Sequence, residues 1–329
     1  MRPIRVVALS VVLLGSFLAH VTWAQDAATA LVVEVVNGTA EGATVIGDSV
    51  TLQVFRQQQL QNTLEAQVRE TGEAVFEDVP MGLHMVAKAR VRHQNMTFQG
   101  SAVSLAPGKD DYSTSVRVFD VSTDTSALSV GTHHLMLSVQ ESMLAVTEYM
   151  QLKNTSDMAV RGSKWDAQDR PVVIEVMLPD GAMDLTPTGF FSPGALVTTE
   201  TGFYDTLAVP PGEHQVRFSY RIDMGQGALD ITKAVSLPTS ELTVFWEAQQ
   251  GELTGLGEPD EQLTNAQSVP IECYRRHDLQ AGDRIAFQIS GFHVQTSDRD
   301  TWIVLAVAFA VIVALALWRL RSGSPPNAD

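Results

Sequence analysis

Between residues 28 and 296 no stretch carries the 3.6-residue apolar period of a long amphipathic helix, while short alternating and β-branched runs recur throughout. That pattern confines the body of the chain to all-β folds. It also excludes the parallel α/β sheets that carry most nucleotide sites, because those need a helix between successive strands.

In the first half the runs fall at 31–36, 50–55, 74–76, 83–91, 97–105 and 113–119. Turn signals separate them, such as Asp78-Val79-Pro80-Met81-Gly82 and Pro107-Gly108. Residues 57–67 read either as a short helix or as a polar hairpin tip. In the second half the runs fall at 128–130, 134–139, 144–152, 172–178, 203–209, 213–220, 234–237, 242–246 and 285–289. The polar, Gly/Pro-bearing stretch 251–267 reads as an exposed loop. Strands of this length, punctuated this often, predict two or three β-sandwich domains in series.

Both ends of the chain differ from this texture. Arg2 and Arg5 precede an apolar stretch at 6–21, and Thr22-Trp23-Ala24 offers a small-residue cut site. This is the layout of a secretory signal peptide over 1–24. At the other end, 302–318 contains no charge. Carried on through Leu320, it reaches the ~30 Å of a hydrocarbon core at about 1.5 Å per residue. Trp302 and Trp318 stand at its edges, and Arg319 and Arg321 follow, which predicts a transmembrane helix over 302–320 with a cytoplasmic tail at 321–329. Residues 296–301 form a short stalk. The expected topology is a single-pass cell (inner) membrane protein with its bulk in the periplasm or outside.

The chain has 22 basic and 38 acidic residues. Setting aside Arg2, Arg5, Arg319, Arg321 and Asp329 leaves 18 basic and 37 acidic residues, a net charge near −19 for the exported body. Such a field opposes binding to nucleic acid and to anionic lipid. The lone Cys273 cannot form an internal disulfide, so the exported body is stabilised by its core alone.

The segment Gly72-Glu73-Ala74-Val75-Phe76-Glu77-Asp78-Val79-Pro80-Met81-Gly82 resembles the turn signature of the carboxypeptidase regulatory-like (transthyretin-like) domain. Leu83-His84 stands where that family usually places a Tyr. The resemblance spans roughly 28–120 and implies a seven-stranded, non-catalytic sandwich. Farther on, Val118-Phe119-Asp120-Val121, His133-His134-Leu135, Met177-Leu178-Pro179-Asp180-Gly181 and Val209-Pro210-Pro211-Gly212-Glu213 are similar to segments of uncharacterised bacterial single-anchor membrane proteins. This places a second β-rich region at 124–295, as one sandwich or two.

No His-Glu-x-x-His pair and no Gly-x-Ser-x-Gly elbow occurs. His133 and His134 are adjacent, so on a regular strand they face opposite sides and share a metal only if the strand bulges. The chain is therefore read as a non-enzyme without cofactor or metal. The expected role is an interaction or scaffold module for other envelope proteins, with a small-ligand or carbohydrate binding module as the alternative; a hydrolase is a distant third. Phe190, Phe191, Phe203 and Tyr204 lie in or near predicted loops, so they either contact a partner or the membrane surface, or fold back into the core. Two acidic loop segments, 109–111 and 298–300, are minor candidates for calcium.

Overall fold

The computed structural model describes residues 28–292 apart from 109–111, 141, 192–193, 226 and 266–267. The predicted signal, stalk, membrane helix and tail, and both acidic loop segments, lie outside the described residues. Among the described residues no helix is long and apolar enough to cross a membrane.

The first unit contains β1 (Ala28–Asn37), β2 (Ser49–Arg56), β3 (Gln59–Gln67), β4 (Glu73–Pro80), β5 (Met85–His93), β6 (Met96–Gln99), β7 (Val103–Ser104) and β8 (Tyr112–Val118). One sheet has the order β4-β1-β8, with β1 antiparallel to β4 and parallel to β8. The other has the order β3-β2-β5-β6, with β7 beside β5. Alternation explains the packing. Val50, Leu52 and Val54 of β2 and Ala87, Ala89 and Val91 of β5 turn inward, while Lys88, Arg90 and Arg92 turn out. They meet Leu31, Val33, Phe76 and Val116 of the facing sheet in one core.

The choice left open at 57–67 resolves to a hairpin. Gln57 and Gln58 both hold positive φ, 50° and 67°, as a tight primed turn requires, and Gln94-Asn95 repeat the device between β5 and β6. No Asn-Gly or Asp-Gly pair marks the first turn, which is why it reads ambiguously.

The second unit contains β10 (Leu128–Gln140), β11 (Met143–Asn154), β13 (Lys164–Trp165), β14 (Pro171–Val172), β15 (Ile174–Met177), β16 (Met183–Gly189), β17 (Leu196–Thr199) and β18 (Gly202–Asp205). It continues with β19 (Gly212–Asp223), β20 (Leu229–Ala234), β21 (Thr239–Glu247), β22 (Glu252–Thr254), β23 (Glu261–Thr264), β24 (Pro270–Leu279) and β25 (Arg284–Ser290). A seven-stranded sheet, β16-β19-β11-β10-β21-β24-β23, supplies one layer. Two three-stranded sheets, β15-β18-β17 and β20-β25-β22, supply the other. A single core with Trp246, Phe218, Tyr220, Phe203 and Phe287 runs between them. The predicted runs at 128–130 and 134–139 are one strand, β10, interrupted by a bulge between Val130 and His133. Part of the expected loop at 251–267 forms β22 and β23.

The units meet at a short parallel pair, β9 (Val121–Ser122) with β12 (Ala159–Val160). Polar contacts surround it. Asp120 accepts from Asn37 Nδ2 at 2.7 Å and Ala43 N at 3.0 Å, and lies 3.1 Å from His93 Nε2. His93 Nδ1 lies 2.7 Å from Asp48. From the other side, Thr39 Oγ1 donates to Asp157 O and Ala40 N to the Asp157 carboxylate. Ala159 and Ala208 pack into the first unit's core. We expect Asp120→Ala to lose roughly 1–3 kcal/mol, the usual cost of leaving donors to a charged group unmatched. Urea unfolding followed by tryptophan fluorescence and circular dichroism should then separate into two transitions. Coincident, unshifted curves would contradict the coupling.

Strand direction fixes which ends face this junction. In the first unit, Asp48 and His93 lie at it, so the β2–β3 turn lies at the far tip, where Gln57 N donates to His84 O. Leu83 is 74% exposed and Leu60 52% exposed at this tip. In the second unit, Thr239 pairs with Val130 near the junction, so β20 begins and β25 ends at the opposite end. The tip and residue 292 therefore lie on opposite sides of the junction, each at the far end of its own unit.

Candidate functional site

The aromatic residues singled out in the sequence do not form a contact surface. Phe191 and Phe203 are buried, with rings 5.4 Å apart and edge-on, and Phe203 meets Phe218 at 5.1 Å. Tyr204 is buried under the β13–β14 hairpin, its hydroxyl donating to Asp166 at 2.7 Å. Phe190 is partly buried and lies 4.8 Å from the His214 ring. The cause is the position of β18. As the middle strand of its sheet it has core on one face and the hairpin on the other, so all four of its residues are buried. Trp165 on β13 is exposed, at 46%, with the Arg161 guanidinium 4.7 Å from its ring centre.

The core holds a charge network instead. Glu148 on β11 is 0% exposed and Lys233 on β20 is 1% exposed. Lys233 Nζ lies 2.8 Å from Glu148 Oε1, which also accepts from Tyr220 OH at 2.8 Å. His133 Nε2 lies 2.7 Å from Glu148 Oε2, and Lys233 Nζ also donates to Met177 O at 3.0 Å. Burial opposes ionisation of Glu148, but the Lys233 charge and the His133 hydrogen bond outweigh it and hold its pKa at about 2. Burial lowers the His133 pKa against the pull of Glu148, and raises that of Tyr220 well above its ordinary value. The stable state pairs a neutral His133 with an ionised Glu148. A cavity of about 20 Å³ adjoins His133 and Lys233, with space for about one water. The network is closed to any larger molecule, so it serves to tie β20 and β15 to the seven-stranded sheet.

The outer face of that sheet is accessible. His133 and His134 do face opposite sides, and His134 stands outside between Tyr149 and Phe245, with ring separations of 5.8 and 5.1 Å. Burial and the neighbouring His133 and Arg275 lower its pKa to about 4. Beside this row, β11, β16 and β19 form a groove of about 640 Å³ lined by Thr147, Thr186, Thr188, Ser219, Arg217 and Arg221. Arg221 is paired with Asp184. Hydroxyls and guanidinium groups there can hydrogen-bond a polar ligand. Among the described residues no cluster of three or more His, Cys, Asp or Glu is placed to hold a metal ion. Cys273 is buried, and burial raises its thiol to about 11, which makes it a poor nucleophile.

No protein-family model matches the chain, and no curated protein matches it. Among solved structures it is similar to the full-length major pilin SpaD from Corynebacterium diphtheriae, at 9% identity and a TM-score of 0.23. That match covers 80% of this chain and 82% of the pilin.

Proposed function

We propose that the chain is a non-catalytic interaction module of the cell envelope, exported by the 1–24 segment and held to the membrane by a single helix over 302–320. In this reading residues 28–120 form a transthyretin-like sandwich carried on a larger Ig-like β-region. The observation that carries it is the placement of the two ends. The segment bearing the anchor follows residue 292, while the exposed Leu60 and Leu83 tip lies across the junction at the far end of the first unit. A rigid body between tether and tip presents that tip away from the bilayer. The junction's hydrogen bonds and the shared packing of Ala159 and Ala208 supply the rigidity.

Chemical cross-linking in membranes, followed by detergent solubilisation and affinity recovery, should return other envelope proteins in addition to the chain. Replacing Leu60 and Leu83 by Ser should reduce that recovery several-fold. Recovery of this chain alone would remove the reading.

The groove on β11, β16 and β19 favours a second reading, binding of a small polar ligand such as a carbohydrate. Thermal-shift and glycan panels discriminate it: a ligand-dependent rise in melting temperature that Arg221→Ala abolishes supports it, and no shift with any ligand removes it.

A further inference from the structure

We infer that β3 is a self-association edge, which pairs antiparallel with β3 of a second copy and joins two β3-β2-β5-β6 sheets into one. β3 is the terminal strand of its sheet, and among the described residues no strand pairs with its outer side. Such an edge presents unpaired N–H and C=O groups, and natural sheets guard it with charge, proline or brevity. Several other edges here carry those guards, while β8, a second sparsely charged edge with only Arg117, is shorter than β3 at seven residues. β16 contains Pro187, β4 carries Glu73, Glu77 and Asp78, and β6 and β23 are four residues long. β3 is nine residues long, has no Pro or Gly, and has one charge, Glu65. On a chain of net charge −16, this nearly neutral strip is where two copies approach with little repulsion.

The sequence Gln59-Leu60-Gln61-Asn62-Thr63-Leu64-Glu65-Ala66-Gln67 suits an antiparallel copy of itself. Thr63 N donates to its neighbour's Asn62 Oδ1 at 2.8 Å, so this N–H points away from β2, and pairing exchanges that exposed side-chain acceptor for a backbone carbonyl. By strand alternation the N–H and C=O of Glu65 also point outward. In a pairing centred on Leu64, Thr63 of each copy faces Glu65 of the other and they exchange backbone hydrogen bonds. Leu64 faces Leu64, and Asn62 faces Ala66. Leu64 and Ala66 are partly buried and pack against the first unit's core, so the pairing extends two cores into each other. The symmetry is a closed two-fold, which limits assembly to a dimer. This pairing requires neither the anchor nor any other envelope protein, so it stands or falls separately from the function proposed above.

The test uses the full chain purified in detergent, with mass measured by sedimentation or light scattering across a concentration series. The wild type should show a reversible monomer–dimer equilibrium. Thr63→Glu sets two like charges opposite Glu65 and should weaken it by roughly two- to thirtyfold, while Thr63→Lys creates two opposite-charge pairs and should tighten it by a similar factor. Leu64→Cys places two thiols on a non-hydrogen-bonded pair about 4.5 Å apart at Cα, within disulfide range, and should give a covalent dimer on mild oxidation. Buried Cys273 does not compete. A wild type that stays monomeric at every concentration, position-63 variants that shift the equilibrium in the same direction or not at all, or a Leu64→Cys chain that forms no covalent dimer would each overturn the assignment.

Discussion

Glu148→Ala lowers the free energy of unfolding by about 3–5 kcal/mol, as expected when one member of a buried ion pair is removed. The substitution leaves the Lys233 side chain, 1% open to solvent, without its carboxylate, and among the described residues Met177 O and the face of Phe218 are what remains beside it. It also frees Tyr220 OH and the His133 ring from their shared acceptor. Lys233→Met is milder at low pH than at high pH. His133 then becomes the only cation able to face Glu148, and it takes up a proton as the solution is acidified. The double variant Glu148→Leu with Lys233→Met restores most of the lost stability, because an apolar pair of similar volume removes both desolvation costs. Urea titrations of the four proteins measure this directly. A Glu148→Ala loss below about 1 kcal/mol would mean that water reaches the network and screens it.

Two groups, the partly covered His134 and the buried Asp205, give the pH profile opposite slopes. His134 has a folded pKa of about 4 against an ordinary 6.5. Its contribution is present above pH 6.5 and is lost as the pH falls toward 4, on the order of 3 kcal/mol at about 1.4 kcal/mol per unit. Asp205 runs the other way. Burial raises its pKa to about 6 from 3.8, against hydrogen bonds from the Leu207 and Thr206 amides, and its Oδ2 has no hydrogen-bond partner among the described residues. Its contribution is present below pH 3.8 and is lost as the pH rises through 6, again about 3 kcal/mol. The wild-type curve between pH 4 and 7 is therefore flatter than either group alone would give. His134→Phe leaves the Asp205 slope, so stability then falls from pH 4 to 7. Asp205→Asn imitates the protonated acid and raises stability at pH 7.5 by up to about 3 kcal/mol, with little change at pH 4. Melting temperatures of the three proteins across this range check the signs. Parallel curves would show that neither residue titrates as its burial dictates.

The strands were legible because alternation reports a half-buried strand whatever the topology. The same alternation held information on the core network. In the run Leu144, Val146, Glu148, Met150, Leu152 every residue but one is apolar, and in Ile231, Lys233, Val235 the centre is a cation. Opposite charges at core positions of two strands mark a buried pair, and reading parity with charge finds it. The choice between contact and burial for the four aromatics stays open in the sequence for a different reason. Turn-forming neighbours at Gly189, Ser192 and Pro193 describe the backbone locally, whereas burial of Phe191, Phe203 and Tyr204 depends on β18 being central and on a distant hairpin covering it. The groove is built from outward residues of β11, β16 and β19, which come together only through the sheet order. Nothing local in the chain signals it.

The proposed function requires an exported body that carries its tip outward from a C-terminal tether. Site-specific labelling with a membrane-impermeant maleimide tests it most directly. Leu83→Cys places a thiol at the exposed tip, Ala328→Cys places one in the tail, and native Cys273 is buried and stays silent. In right-side-out membrane vesicles an outward tip and an inner tail give full labelling at position 83 and labelling at position 328 only after the membrane is opened. Labelling at 328 in sealed vesicles, or protection of 83 until they are opened, would contradict it.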